Sequence, residues 1–229
     1  NMIGNCSADV VSSTVPCSNK WMIGTVNSFF IGFIATFIAT TLGTLAALGL
    51  SRPHMPYKGL IMAILISPMI VPLIITAAGM FFFYARINLV YSFTGIILAH
   101  VALATPFVVI TVTATLVGFD MNMVKASQSL GARPIRTFFK VIMPLILPGV
   151  ISGALFAFIT SFDEVVIVMF MGSLDQLTIP KQMWAGIRQE ISPVILCMAT
   201  CLVVLSILLL TTVELLRRRS EKLRGITSR

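Results

Sequence analysis

Two adjacent carboxylates, Asp163 and Glu164, fall inside the apolar run Val141–Phe170. An ionised carboxylate at membrane depth is costly, so it faces a cavity, a pathway or a partner charge. In a transport path, two such groups would favour cations, each pairing with an ammonium as the substrate sheds water. On a continuous helix neighbouring side chains point about 100° apart. Either residue could therefore serve the path while the other serves structure. His100 lies in a different apolar run and could bind a metal or relay a proton. It has no second His, Cys or carboxylate at ligand spacing, and a lone histidine of this kind reads as a hydrogen-bonded core residue. Cys197 and Cys201, one helical turn apart, read as small packing residues. Four cysteines are too scattered for a disulfide scaffold or a Cys-x-x-Cys metal site. Cys6 and Cys17 could pair in an oxidising compartment or stand as two surface thiols.

These groups need a membrane scaffold, and the composition supplies one. Hydrophobic residues make up 57% of the chain and charged residues 10%, which is the signature of an integral membrane protein. A net charge of +8 would suit nucleic acid. Its basic residues, however, flank apolar runs long enough to cross a bilayer, and nucleic acid is excluded as a partner. Five runs reach the length of about 20 residues that a crossing requires: Trp21–Leu50, Leu60–Tyr84, Phe93–Val117, Val141–Phe170 and Pro193–Leu216. Pro68, Pro72 and Pro106 are acceptable inside them where neighbouring groups satisfy the freed carbonyls. Gly149, Gly153, Ala157 and Ser161 form a small-residue face suited to close helix packing.

The connections carry the orientation. Arg52, Lys58, Lys125, Arg133, Arg136, Lys140, Arg217, Arg218, Arg219, Lys222, Arg224 and Arg229 fall on one side of the membrane. Lys20, Arg86, Lys181 and Arg188 fall on the other. The richer side is cytoplasmic by the positive-inside rule, which puts residues 1–20 outside and the tail 217–229 inside. Residues 1–20 lack the basic start and apolar middle of a signal peptide. The aromatic cluster Phe81–Tyr84, with Tyr91 and Phe93, marks a membrane interface. Asp175–Ser192, with Trp184, forms an outer loop that could touch a partner, gate a path or rest as a surface helix. Arg217, Arg218 and Arg219 anchor the tail at anionic lipid. No internal repeat is visible, so the inverted repeats of many carriers find no support.

Between the third and fourth runs lies a polar interruption, residues 118–140. Gly118 can end one helix, Asp120 can cap a new one of about three turns, and Gly131 can close it in the left-handed conformation. Pro134 then suits the first turn of the next helix, which runs through Phe138 and Phe139. The result is a helix–glycine–helix elbow held at the membrane surface. It could rest on lipid headgroups or dock a protein.

The elbow also carries a resemblance. Lys125-Ala126-Ser127, Gly131 four residues later, and Val141-Ile142-Met143-Pro144 resemble the Glu-Ala-Ala motif of ATP-binding-cassette (ABC) importer permeases in spacing throughout. Lys125 stands where that family has Glu, Ser127 where it has Ala, and Met143 where it has Leu. Ser67-Pro68-x-x-Val71-Pro72, Thr105-Pro106-Phe107-Val108-Val109, Gly118-Phe119-Asp120 and Ser161-Phe162-Asp163-Glu164-Val165-Val166 are similar to the spermidine/putrescine branch. The likeness runs from Trp21 to Arg219.

This resemblance implies an all-α, polytopic helical bundle of the type I importer fold. Its members usually have six spans, so it also implies a first helix missing from this chain or a reduced five-span form. The implied function is a permease subunit that moves a polyamine from periplasm to cytoplasm across a bacterial inner membrane. Related permeases extend the substrate range to opines, aminophosphonates, thiamine and ferric ion. The implied partners are two copies of a cytoplasmic ATPase, which binds ATP and Mg, a second homologous permease and a periplasmic binding protein. Lys125, Ala126, Ser127, Leu130, Gly131, Ala132, Arg133 and Pro144 would carry the coupling to the ATPase, and Asp163 and Glu164 would line the substrate path.

The chain has no Gly-x-x-x-x-Gly-Lys-Ser/Thr loop for ATP, so the energy must come from a partner. Two other classes compete. An ATP-independent channel or carrier could use the carboxylates as a cation site but leaves the capped elbow unexplained. An intramembrane enzyme would need a His-Glu-x-x-His helix, a second separated catalytic Asp or a plausible Ser/His pair, and the sequence offers none of these.

Overall fold

The computed structural model describes residues 17–52, 55–117, 122–173, 175–189 and 193–223. These residues form helices and connections, with no strand among them. Helix α1 (Cys17–Leu50) is followed by α2 (Lys58–Ile70), α3 (Leu73–Arg86) and α4 (Phe93–Val117). The elbow holds α5 (Asn122–Ser129) and α6 (Pro134–Thr137), and a π-helical turn, Phe138–Ile142, leads into α7 (Met143–Phe162). Then come α8 (Val166–Met171), α9 (Ile179–Gln189) and α10 (Pro193–Leu223).

Helices α1, α4 and α7 make the core. Ile31, Ala35, Ala39 and Ala47 form one buried face of α1, repeating near every fourth residue as helical geometry requires. Small residues let the three backbones approach. Gly43 of α1 lies against Val108 and the Thr105 carbonyl, and Gly32 lies against Phe158. On α7, Gly149 faces Thr115, and Gly153 faces Thr111 and Val108. The expected small-residue face is therefore the α4–α7 seam. These pairings run α1 and α4 parallel, with α7 antiparallel to both. Phe29, Phe33, Phe158 and Phe162 continue the packing toward α9 and α10, with the Phe29–Phe162 and Phe33–Phe158 rings each 5.0 Å apart.

Two expected spans are broken. Leu60–Tyr84 divides into α2 and α3, which meet at 103°. Val71, ahead of Pro72, is extended, as pre-proline sterics favour. Pro68, by contrast, stays inside α2: it frees the Ile64 carbonyl, and the Ser67 hydroxyl donates to that carbonyl at 2.8 Å. Val141–Phe170 ends its long helix at Phe162 and restarts at Val166. Among the described residues the elbow helix spans eight residues, Asn122–Ser129. Helix α1 begins at Cys17, ahead of the expected Trp21, and α10 runs on to Leu223 past the expected Leu216. Cys197 and Cys201 are exposed on α10, so they do not pack inside this chain. The side chains of α2 are nowhere buried, and α10 exposes most of its apolar residues, leaving both faces for lipid or another subunit. The expected caps Gly118 and Asp120, the Cys6–Cys17 pair and the Arg217–Arg219 side chains lie outside the described residues.

Candidate functional site: a broken span and a rigid elbow

The carboxylates sit in the α7–α8 break, not on a helix, so the helical angle between neighbours does not relate them. Asp163 is the C-cap of α7: its backbone N–H donates to the Ile159 carbonyl at 3.0 Å, and its side chain is exposed. Glu164 is 8% exposed, and its Oε1 accepts the Ile167 N–H at 3.0 Å. The chain can break here because α8 regains a buried face at once, through Ile167, Val168 and Met171.

Beyond α8, polar side chains stitch the segment 172–179 to its surroundings. Lys181 Nζ donates to the Gly172 and Ser173 carbonyls at 3.0 and 3.1 Å. Burial pushes this ammonium below the ordinary lysine range. Gln176 Nε2 donates to the Tyr91 carbonyl at 3.0 Å, and Tyr91 N–H donates to the Met171 carbonyl at 2.9 Å. From α1, Asn27 Nδ2 donates to the Leu177 carbonyl at 2.9 Å, and Ser28 Oγ accepts the Ile179 N–H at 2.9 Å. The segment 172–179 is thus docked on the bundle end that holds the first turns of α1. Helix α9 leaves Trp184 exposed, with the Arg188 guanidinium 5.7 Å from its ring centroid. The polar pair Asn27-Ser28 inside an apolar run was the signal for this dock. Sequence reasoning missed it.

His100 behaves as a core residue. It is 1% exposed, and its Nδ1 lies 2.8 Å from Ser161 Oγ, joining α4 to α7. No group of three or more metal-ligating side chains occurs among the described residues.

The elbow is closed by the device expected. Gly131 has φ +77°, its N–H donates to the Gln128 carbonyl at 2.9 Å, and Ala132 N–H reaches the Ser127 carbonyl at 3.1 Å. Those two bonds satisfy the last carbonyls of α5. Arg133 is extended and Pro134 opens α6. Lys125, Ala126, Arg133 and Pro144 are exposed, Ala132 is half-buried and Leu130 is 88% exposed at the tip. The π-helical turn directly precedes Pro144, which cannot donate and crowds the carbonyl four residues back, so a widened turn there is a local accommodation. Asp163 and Glu164 lie at the α7–α8 break, whereas Lys125, Ala126, Ser127, Leu130, Gly131, Ala132, Arg133 and Pro144 lie between α5 and the start of α7, so the structure does not bring the two groups of residues together.

One elbow contact was not expected. Ser127 Oγ and Thr137 Oγ1 are 2.8 Å apart, and Thr137 is 2% exposed. Ser127→Ala should loosen the elbow by about 1–3 kcal/mol, because a buried hydroxyl loses its partner. Trypsin cleavage after Arg136 should then quicken several-fold. Adding Thr137→Val, which removes the orphaned hydroxyl, should restore most of the resistance. Unchanged cleavage in Ser127→Ala would show that the contact does not hold the elbow.

The described residues form an all-helical bundle with apolar helices long enough to cross a membrane, a broken span, a docked end loop and an elbow. Residues 39–222 match the family described as binding-protein-dependent transport system inner membrane component, and the chain belongs to that family. It is 31% identical over 196 residues to the spermidine/putrescine transport system permease protein PotC of Haemophilus influenzae, covering 86% of this chain and 76% of that one. PotC of Escherichia coli K12 is likewise 31% identical, over 83% of this chain and 72% of its own length. The putrescine permease PotI of the same strain is 29% identical over 76% of this chain and 64% of its own length. Among solved structures, an inward-facing form of the MetNI methionine ABC transporter superposes with a TM-score of 0.65 at 19% identity, over 94% of this chain and all of that one. An amino acid ABC transporter crystallised with histidines gives the same TM-score at 18% identity, over 88% and 94%. The fold is that of ABC permeases, and the family is one of transport components rather than enzymes.

Proposed function

We propose that this chain is the permease subunit of an ABC importer that carries a polyamine, putrescine or spermidine, into the cytoplasm. The observation that carries the reading is the likeness to PotC across most of the chain, joined to an exposed carboxylate, Asp163, at a break in a membrane span. A polyamine is a chain of ammonium groups, and an exposed carboxylate can pair with one. The elbow faces the cytoplasm and docks a separate ATPase, since its closed turn presents Leu130 and cationic side chains on a rigid support. The docked segment 172–189 faces the periplasm, where the binding protein delivers substrate. The open faces of α2 and α10 suit lipid and a second permease subunit.

Asp163→Asn should lower ATP-driven uptake of labelled putrescine and spermidine about tenfold or more, the scale of a lost charge-assisted contact. Assembly with the ATPase should be unchanged, because the side chain is exposed at the end of α7 opposite the elbow. Uptake at the wild-type rate would remove Asp163 from the substrate path.

A further inference from the structure

The two carboxylates of the α7–α8 break are adjacent in sequence but not equivalent in chemistry. Glu164 is buried and its Oε1 is committed to the Ile167 N–H at 3.0 Å, satisfying one of the free donors that open α8. Its burial closes Glu164 off from a substrate ammonium, which Asp163 leaves open. Asp163 is exposed, one residue away, where α7 ends. Helix α8 has six residues, too few to hold together on local bonds alone. At its far end Lys181 Nζ binds the Gly172 and Ser173 carbonyls, so charged side chains fasten both ends of a short, buried segment.

We propose that Glu164 is a positioning residue: it does not touch the transported cation, but fixes the α7–α8 break and so sets where Asp163 stands. The inference rests on the reading of Asp163 as the cation contact. It requires an acceptor oxygen at position 164 rather than a negative charge. Glutamine supplies that oxygen and alanine does not, whereas Asp163 has to be charged.

The test uses the complete complex in proteoliposomes, with labelled putrescine as probe, and the melting temperature of the purified complex. Glu164→Gln should keep uptake within about twofold of wild type and leave melting unchanged. Glu164→Ala should lower melting by about 2–4 °C, the shift expected for a lost cap in a chain of this size, and reduce uptake with it. Asp163→Asn should reduce uptake roughly tenfold without moving the melting temperature. Glu164→Gln losing uptake as far as Asp163→Asn would overturn the proposal, since the charge at 164 would then matter directly. Glu164→Ala with wild-type melting and uptake would overturn it too, because no cap would be needed. A wild-type complex that accumulates no putrescine or spermidine would overturn the polyamine reading instead. The role of Glu164 is then read from melting alone: loss in alanine with recovery in glutamine supports it, and loss in both overturns it.

Discussion

Replacing Gly131 with valine is expected to leave the protein inserted and assembled while cutting substrate-stimulated ATP hydrolysis roughly tenfold. Gly131 is held at φ +77°, and no atom lies within 4 Å of where a Cβ would stand, so the substitution meets no neighbour. The penalty is conformational. A residue with a Cβ costs about 1–2 kcal/mol in the left-handed region, and a β-branched one more. Each 1.4 kcal/mol shifts an equilibrium tenfold. That strain works against the two bonds that close α5, from Gly131 to Gln128 and from Ala132 to Ser127. With the closure open, α5 no longer moves as one body with α6 and α7. Asparagine tolerates the left-handed region, so Gly131→Asn should couple nearly as well as glycine. ATPase stimulation in Gly131→Val equal to wild type would mean that the elbow does not transmit the stroke.

Gly153→Leu should fail for the opposite reason. Its backbone is ordinary helix, but a Cβ there would lie 3.0 Å from Val108 Cα and would press on the Thr111 hydroxyl. The hydroxyl can rotate away, while the α4 backbone can move only by prying the α4–α7 seam apart. Overpacking a tight core costs about 1–3 kcal/mol for modest additions. Leucine adds four carbons at a tight point of the seam, which also carries the His100–Ser161 hydrogen bond and the Gly149–Thr115 contact. The expected result is loss of folded protein after detergent extraction, read by size-exclusion chromatography. Gly79→Ala, where nothing lies within 4 Å, is the matched control and should elute as wild type. A Gly153→Leu protein that elutes as wild type would contradict the packing assigned to α7.

Much of this fold was legible because its strongest signals are long-range averages. An apolar run such as Phe93–Val117 gives the α4 boundaries directly, and glycine followed by proline gives the elbow closure. The breaks at Val71–Pro72 and Asp163–Val165 were not legible. Both are local, and each depends on whether a neighbouring side chain repairs the backbone. Ser67 repairs the Pro68 gap and keeps α2 continuous, whereas nothing forces α7 through Asp163 once Glu164 can start a new helix. The cysteines of α10 show the same limit from another side. Helical periodicity put Cys197 and Cys201 on one face, but whether that face meets this chain or something else depends on where α10 docks. The two carboxylates could be picked out by residue type but not told apart: Asp163 and Glu164 carry the same charge, and only the α7–α8 geometry separates an exposed carboxylate from a cap.

The central claim is that this chain moves polyamines with energy drawn from a partner ATPase. The most direct measurement is uptake of labelled putrescine and spermidine into proteoliposomes holding the chain with the ATPase, second permease and binding protein encoded beside it. Accumulation that requires both ATP and the binding protein is the predicted result. Uptake that proceeds without ATP would contradict the account and turn it toward a carrier.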